Sequence, residues 1–294
     1  MKNKLKTSTA IFVFIVTFLS IKPVMSDVRV FTSIEPVAYL IEKIGSNKVI
    51  VNSMIRAGES PHTYEPKPSQ LAALSKADMY VKLGSGIEFE SVWMPKLLKI
   101  NQNMKIIDAS KNVKLIKFFE PDHNHENGES HECSADPHIW LSVSNAMVMT
   151  ENIKKALCIV DPANKSFYES NSNILIEELT ALKRDTENKL RNIKNRKFII
   201  FHPSFGYFAD EFNLIQIPVE IGGKEPGPKQ LRKIIQTAKE QNVKVIFASR
   251  SFSKKNAELI ADEIKGKVQE IDELSKDYIN NLKKITEVFR KNLE

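Results

Sequence analysis

The sequence predicts an α/β protein made of two parallel-sheet lobes joined by one long helix. Three observations carry this expectation. Strand-like apolar runs alternate with helical segments from Val28 to Ile107. The alternation resumes at Phe198 and continues to Leu293. Between the two sets, no Gly or Pro follows Pro162 until beyond Ile193, and Phe167, Leu175, Leu179, Leu182, Leu190 and Ile193 recur as a helical stripe. Strands alternating with helices imply parallel sheets covered on their faces.

In chain order, Val28 to Ile34 reads as a buried strand. Pro36 then starts a helix that presents Val37, Leu40, Ile41 and Ile44 and stops at Gly45. Lys48 to Ile55 is a second strand, rich in Val and Ile. Ser69 to Ala77 is a short helix, Met79 to Leu83 a third strand, Glu90 to Ile100 a helix and Met104 to Ile107 a fourth strand. Asp161-Pro162 reads as an N-cap with Pro at the first helical position, opening a helix of about 30 residues. A stiff helical bridge predicts little lobe closure. Phe198 to Phe201 and Leu214 to Val219 follow as strands, then a helix after Pro228. Val243 to Phe247 is a strand, Lys254 to Ile264 a helix, Val268 to Ile271 a short strand and Leu274 to Leu293 a closing helix. The expected organisation is a leader over 1–26, an N-terminal lobe over 27–160, a linking helix over 161–194 and a C-terminal lobe over 195–294.

Residues 1–26 carry Lys2, Lys4 and Lys6, then an apolar run from Ile11 to Leu19 broken only by Thr17, then Val24-Met25-Ser26. This is the pattern of a cleavable secretory signal peptide. The run is short for a bilayer span of ~20 residues. The formal charge of the 294-residue chain is +7. Four Lys and no acids leave with the leader, so 39 basic side chains then face 36 acidic ones. So slight an excess, with no basic cluster interleaved with aromatics, argues against nucleic acid. No Cys follows the apolar run, so an exported protein without a lipid anchor is expected, in the periplasm. Cys133 and Cys158 are the two cysteines. Export permits a bond between them, but spacing leaves open whether one forms.

Three of the six His lie where ligands gather in α/β proteins or close beside such places. His62 sits in Pro61-His62-Thr63-Tyr64-Glu65-Pro66, past the second strand. His202 follows the strand Phe198 to Phe201. Asp272 follows the last strand. Sites in open parallel sheets form outside the carboxyl ends of strands. His138, in Asp136-Pro137-His138-Ile139-Trp140-Leu141, instead opens a helix. Singly, each His reads as a loop residue and Asp272 as a helix cap. Jointly, three imidazoles and a carboxylate complete a tetrahedral Zn²⁺ shell. Mn²⁺ prefers more carboxylate oxygens.

On these motifs, with His202-Pro203-Ser204-Phe205-Gly206-Tyr207-Phe208 and Ile271-Asp272-Glu273-Leu274, the chain resembles the solute-binding proteins of zinc and manganese ABC transporters, the ZnuA/TroA type. The resemblance covers essentially the whole chain after the leader. It implies two α/β lobes with a metal site between them, and His62, His138, His202 and Asp272 as ligands. Among such relatives water or a nearby Glu, here Glu59, can replace the carboxylate. His202 stands where the manganese branch usually has Glu, which favours zinc. Ser249-Arg250 departs from the acidic residue and Pro often found there.

Residues 118–153 contain no Lys or Arg, and His123, His125 and His131 lie there among Glu120, Asp122, Glu126, Glu129, Glu132 and Asp136. A His-rich acidic loop over 120–136 is expected to bind metal weakly and exchange it fast, because ordering a loop around an ion costs conformational entropy. The zinc branch of the resembling family often carries such a loop. The expected function is capture of Zn²⁺ and its delivery to an ABC permease in the inner membrane, by a monomer that is not an enzyme. Competing readings are a manganese or iron carrier of the same family, a surface adhesin and a zinc hydrolase. No Gly-x-Ser-x-Gly or His-Glu-x-x-His accompanies the three His motifs.

Overall fold

The computed structural model describes residues 27–117, 135–220, 226–249 and 255–294. The leader, the loop histidines His123, His125 and His131, and Cys133 lie outside the described residues. Among the described residues Cys158 is bonded to no other cysteine, and no helix is long and apolar enough to cross a membrane.

The first lobe runs β1 (Val28–Ile34), α1 (Glu35–Gly45), β2 (Val49–Ile55), α2 (Pro68–Leu74), β3 (Met79–Lys82), α3 (Glu88–Ile100) and β4 (Lys105–Asp108). Two helices follow, α4 (Val143–Val160) and α5 (Lys165–Leu190). The second lobe contains β5 (Lys197–Ile200), α6 (Gly206–Glu211), β6 (Ile215–Pro218), α7 (Pro228–Glu240), β7 (Val245–Ser249), α8 (Lys255–Glu263), β8 (Lys267–Ile271) and α9 (Tyr278–Leu293). Each lobe holds a parallel four-stranded sheet, in the orders β2-β1-β3-β4 and β6-β5-β7-β8. The two orders are the same pattern repeated. Strand order reverses at β1/β3 in one sheet and at β5/β7 in the other, which opens a crevice at the carboxyl end of each.

The central strands are nearly continuous apolar runs because helices cover both faces. In β5, Phe198 and Ile200 face one core and Ile199 faces another, as the two-residue strand period requires. The core behind Ile199 is closed by Ile234, Ala238, Ala257 and Ile260 from α7 and α8. The core behind Phe198 is continuous with that of the first lobe. Phe289 of α9 stands at its centre, with the rings of Phe198, Phe205, Phe208 and Phe247 at 4.6–5.8 Å.

Several elements differ from the sequence expectation. His138 does not open an α-helix. It precedes a single 3₁₀ turn, Ile139–Leu141, and α4 starts later, where the Ser142 hydroxyl accepts the Asn145 amide hydrogen at 3.1 Å. The sequence pattern does not signal α6, and it signals a helix near the start of α4 but not its extent. α4 carries Val, Thr and Asn, which weaken its helical signature, and α6 is only six residues long. Asp161 does not cap the long helix. Its carboxylate accepts the Tyr168 hydroxyl and the Asn164 amide, both at 2.6 Å, and a 3₁₀ turn precedes α5. α5 is therefore 26 residues long, about 39 Å. It is also not a bare bridge. It packs against α1, α4 and α9, and the Thr186 and Thr286 hydroxyls bond at 3.1 Å between α5 and α9.

The shared aromatic core makes Phe289 a strong determinant of stability. Phe289→Ala should destabilise the protein by about 3–5 kcal/mol, the range for a large buried aromatic truncated in a core. Urea unfolding of parent and variant measures it; a loss under about 1 kcal/mol would show that the cluster collapses into the space.

Candidate metal centre

Three loops deliver three imidazoles to one point. His62 lies in the turn after β2, where Gly58 takes a left-handed φ of 85° to swing the chain over the sheet edge. His202 follows β5 at the carboxyl end of the second sheet. His138 lies between the two sheets, on the segment that leads to α4. The His62 and His202 Nε2 atoms are 3.3 Å apart, and those of His202 and His138 are 3.2 Å apart. The rings meet edge to face in both pairs.

A carboxylate stands behind each ring. Nδ1 of His138 is 2.7 Å from Asp136 Oδ1, Nδ1 of His202 is 2.7 Å from Glu220 Oε2, and Nδ1 of His62 is 3.0 Å from Glu88 Oε1. An ionised carboxylate only accepts hydrogen bonds, so each Nδ1 is the donor. In the neutral ring Nε2 is then the acceptor. The Nε2 lone pair of His202 therefore faces that of His62 across 3.3 Å and that of His138 across 3.2 Å. Lone pairs so placed repel unless positive charge lies between them. A tetrahedral Zn²⁺ with Zn–N bonds of about 2.0–2.1 Å sets its nitrogen ligands roughly 3.3 Å apart.

The frame around the rings is built for fixed placement. Asp136 Oδ1 also accepts the His138 backbone amide at 2.9 Å, so the ring and its own main chain share one anchor. Ser85 donates its hydroxyl to the Pro137 carbonyl at 2.5 Å. The Gly84–Ser85 turn is held in turn by buried Glu90, which accepts the Leu83 and Gly84 amides at 2.6 and 2.9 Å and the Ser33 hydroxyl. From the second lobe, the Tyr207 hydroxyl donates to the Asp136 carbonyl at 2.9 Å. Gly206 approaches so closely that a Cβ there would come within 2.3 Å of Asp136 Oδ2. Trp140 donates its indole N–H to the Glu273 carbonyl at 2.8 Å, and Tyr278 donates its hydroxyl to the Trp140 carbonyl at 2.6 Å. Glu211 accepts the Val143 and Ser144 amides at 2.8 and 3.0 Å, placing a carboxylate at the amino end of α4.

Protonation differs around the cluster. Burial lowers His202 to about 4, with help from His138 and His62 and against the pull of Glu220. The Glu88 hydrogen bond raises His62, against burial. Burial works to raise Glu88, but the bond from His62 outweighs it and brings Glu88 to about 2. Burial raises Glu273, against the Ser249 hydroxyl that donates to it.

The carboxylates named from sequence lie differently. Asp272 Oδ1 accepts the Leu274 amide at 3.0 Å, the geometry of a local turn. Glu59 accepts the Arg56 amide at 2.9 Å and Lys67 Nζ at 3.1 Å. The cavity at the imidazoles is only about 10 Å³ and is lined by Pro61, His62, His138, Trp140, His202, Glu273 and Leu274. A larger open groove of about 720 Å³ between α1, α5 and α9 shares no residue with it. Sequence reasoning missed Glu88, Asp136 and Glu220 as partners of the rings. Glu220 obeys the same strand-end rule as His202, since it follows β6, and Asp136 stands two residues before His138. Glu88 carries no local signal.

Comparison with known proteins agrees with this architecture. Residues 30–292 match the family described as ZnuA, zinc-uptake complex component A, periplasmic. The chain is 31% identical over 252 residues to the high-affinity zinc uptake system protein ZnuA of Bacillus subtilis, covering 84% of this chain and 78% of that protein. A crystal structure of ZnuA superposes with a TM-score of 0.85 at 39% identity, covering 92% of this chain and 100% of the other. A mutant structure of the laminin-binding adhesin Lmb of Streptococcus agalactiae gives 0.78 at 28% identity, covering 90% and 99%. The fold, the repeated sheets and the match over nearly the whole chain make this protein a member of the ZnuA family of zinc-uptake solute-binding proteins.

Proposed function

We propose that this chain captures Zn²⁺ in the periplasm through His62, His138 and His202 and delivers it to an ABC permease for uptake. One observation carries the reading: three imidazoles each have Nδ1 engaged by a carboxylate, and the Nε2 atoms of His62 and His138 each stand one tetrahedral-edge length from that of His202. Carboxylates behind ligating imidazoles fix the tautomer and raise the basicity of the metal-facing nitrogen. Zinc suits a nitrogen-dominated shell, and Mn²⁺ would call for more oxygen. Zn²⁺ is here the cargo. A cavity of about 10 Å³ has room for one ion or one water, not for the substrate of a hydrolase. The site forms on a braced frame, so the ion enters and leaves through small movements of the His62 turn, whose ring remains partly exposed. The loop histidines His123, His125 and His131 would add weaker sites that hold zinc near this one.

Three outcomes test the proposal. His62→Ala, His138→Ala and His202→Ala should each weaken Zn²⁺ binding at least about tenfold, and any two together should abolish tight binding. Competition against a chelator of known affinity measures this, and parent-like affinity in His202→Ala overturns the site. Asp136→Asn and Glu220→Gln keep all three rings but weaken what holds them, and should cost about 10–100-fold. Unchanged affinity in both would mean that the ring anchors do not matter to the metal. The third outcome concerns pH. Protons compete with zinc for neutral imidazoles. His62, raised above its ordinary value, takes the first proton as pH falls, while His202, at about 4, stays neutral. Affinity should therefore drop as pH goes from about 7 to about 5. Titrations that superimpose across that window would contradict a histidine site.

A further inference from the structure

We propose that Glu90 is a positioning residue that sets His62 and His138 as one unit, while His202 is set separately by the second lobe. This rests on the assignment of His62, His138 and His202 as the zinc ligands. The reversal of strand order at β1/β3 leaves a crevice at the carboxyl end of the first sheet. From the first turn of α3, the buried Glu90 carboxylate reaches between the ends of those two strands. Its Oε1 accepts the hydroxyl of Ser33, at the end of β1, and the Leu83 amide at 2.6 Å, just past β3. Its Oε2 accepts the Gly84 amide at 2.9 Å. The buried Tyr80 hydroxyl, from β3, lies 2.9 Å from Ser33 Oγ. Amides that run past the last pair of a sheet need an acceptor when they are shielded from water, and Glu90 is that acceptor here.

Two arms leave this point. On one, the turn over 84–86 presents Ser85, whose hydroxyl donates to the Pro137 carbonyl at 2.5 Å, one residue from His138. On the other, Glu88 opens α3 and stands 3.0 Å from His62 Nδ1. The Glu90 amide bonds to the Ile87 carbonyl at 3.0 Å, so Glu88 is carried in the same helical turn as Glu90. Both arms spring from residues 83–90, and a shift of that stretch reaches both rings. The anchor of His202 lies elsewhere. Its Nδ1 is 2.7 Å from Glu220, which follows β6 in the other sheet. Glu90 therefore acts through Ser85 and Glu88, each of which holds a different ring or its backbone.

Glu90→Gln keeps the side-chain size but puts an amide donor where an oxygen accepts, so one of the bonded groups loses its partner. In the metal-free protein, long-range proton–nitrogen NMR should show the ring-nitrogen shifts of His62 and His138 both moving and those of His202 staying. A general loosening of the fold would move all three. By chelator competition, Zn²⁺ should bind about 10–100-fold more weakly, the usual cost of losing support behind a ligand. Ser85→Ala, which cuts one arm, should move His138 and leave His62. Unmoved His62 and His138 in Glu90→Gln, or three rings moving alike, overturns the proposal. Parent-like zinc affinity in Glu90→Gln, where His202→Ala loses zinc, also overturns it. If Glu90→Gln does not fold, Ser33→Ala decides, since it removes one donor and leaves the carboxylate in place. His62 and His138 moving without His202 then supports the proposal, and a parent-like spectrum overturns it. The ring spectra need no metal. Parent-like zinc affinity in His202→Ala would therefore overturn the zinc site and leave the ring result standing.

Discussion

The structure depends on holding three imidazole nitrogens at one point against their mutual repulsion. Neutral rings with their lone pairs 3.2–3.3 Å apart would drift away from one another if each were free to turn about its side-chain bonds. Asp136, Glu220 and Glu88 prevent that by accepting the opposite edge of each ring. The three carboxylates fix orientation and leave each Nε2 with its lone pair turned into the cluster. The folded protein thus bears the cost of assembling the three rings, which is the physical basis of preorganised binding at the proposed zinc site.

The repeated sheet topology explains how so few residues suffice. Each sheet opens a crevice where its strand order reverses, and the two crevices face each other across the segment that bears His138. His62 comes from one sheet, His202 and Glu220 from the other. Bonds between the lobes then keep the crevices in register. Tyr207 reaches Asp136, Trp140 reaches Glu273, Tyr278 reaches Trp140, and Glu211 holds the start of α4. The apolar core runs without a break from the first lobe through α5 and α9 to the aromatic cluster around Phe289. A shared core of this kind opposes a hinge-like opening of the two lobes. The side of the cluster left partly exposed is the His62 turn.

The same frame separates the rings by function. His202 is enclosed, and burial keeps it neutral far below its ordinary range. His62 is partly open, and Glu88 raises its affinity for a proton. The outer ring is therefore the one that takes a proton first, and the inner ring stays neutral. A cluster of imidazole nitrogens suits zinc better than the harder manganese ion.

The sequence by itself determined the two α/β lobes, the order of most strands and helices, the long helix and the three histidines, because hydrophobic period and strand-end position are local properties of the chain. It also held the motifs that placed the protein in its family. The tertiary structure decided what depends on distance. Asp161 has the sequence context of a helix cap, but the Tyr168 hydroxyl, one helical turn into α5, takes its carboxylate. Asp272 follows the last strand as its position in sequence suggests, yet its own backbone at Leu274 lies within reach and is bonded by it, while Glu273 lines the cavity at the rings. Glu88 and Glu220 are separated from their histidines by 26 and 18 positions, and no local pattern links them. A hydrogen bond of 2.7–3.0 Å between residues so separated in the chain exists only once the strands and helices that carry them have packed, so these carboxylates behind the imidazoles belong to the fold and not to any one segment.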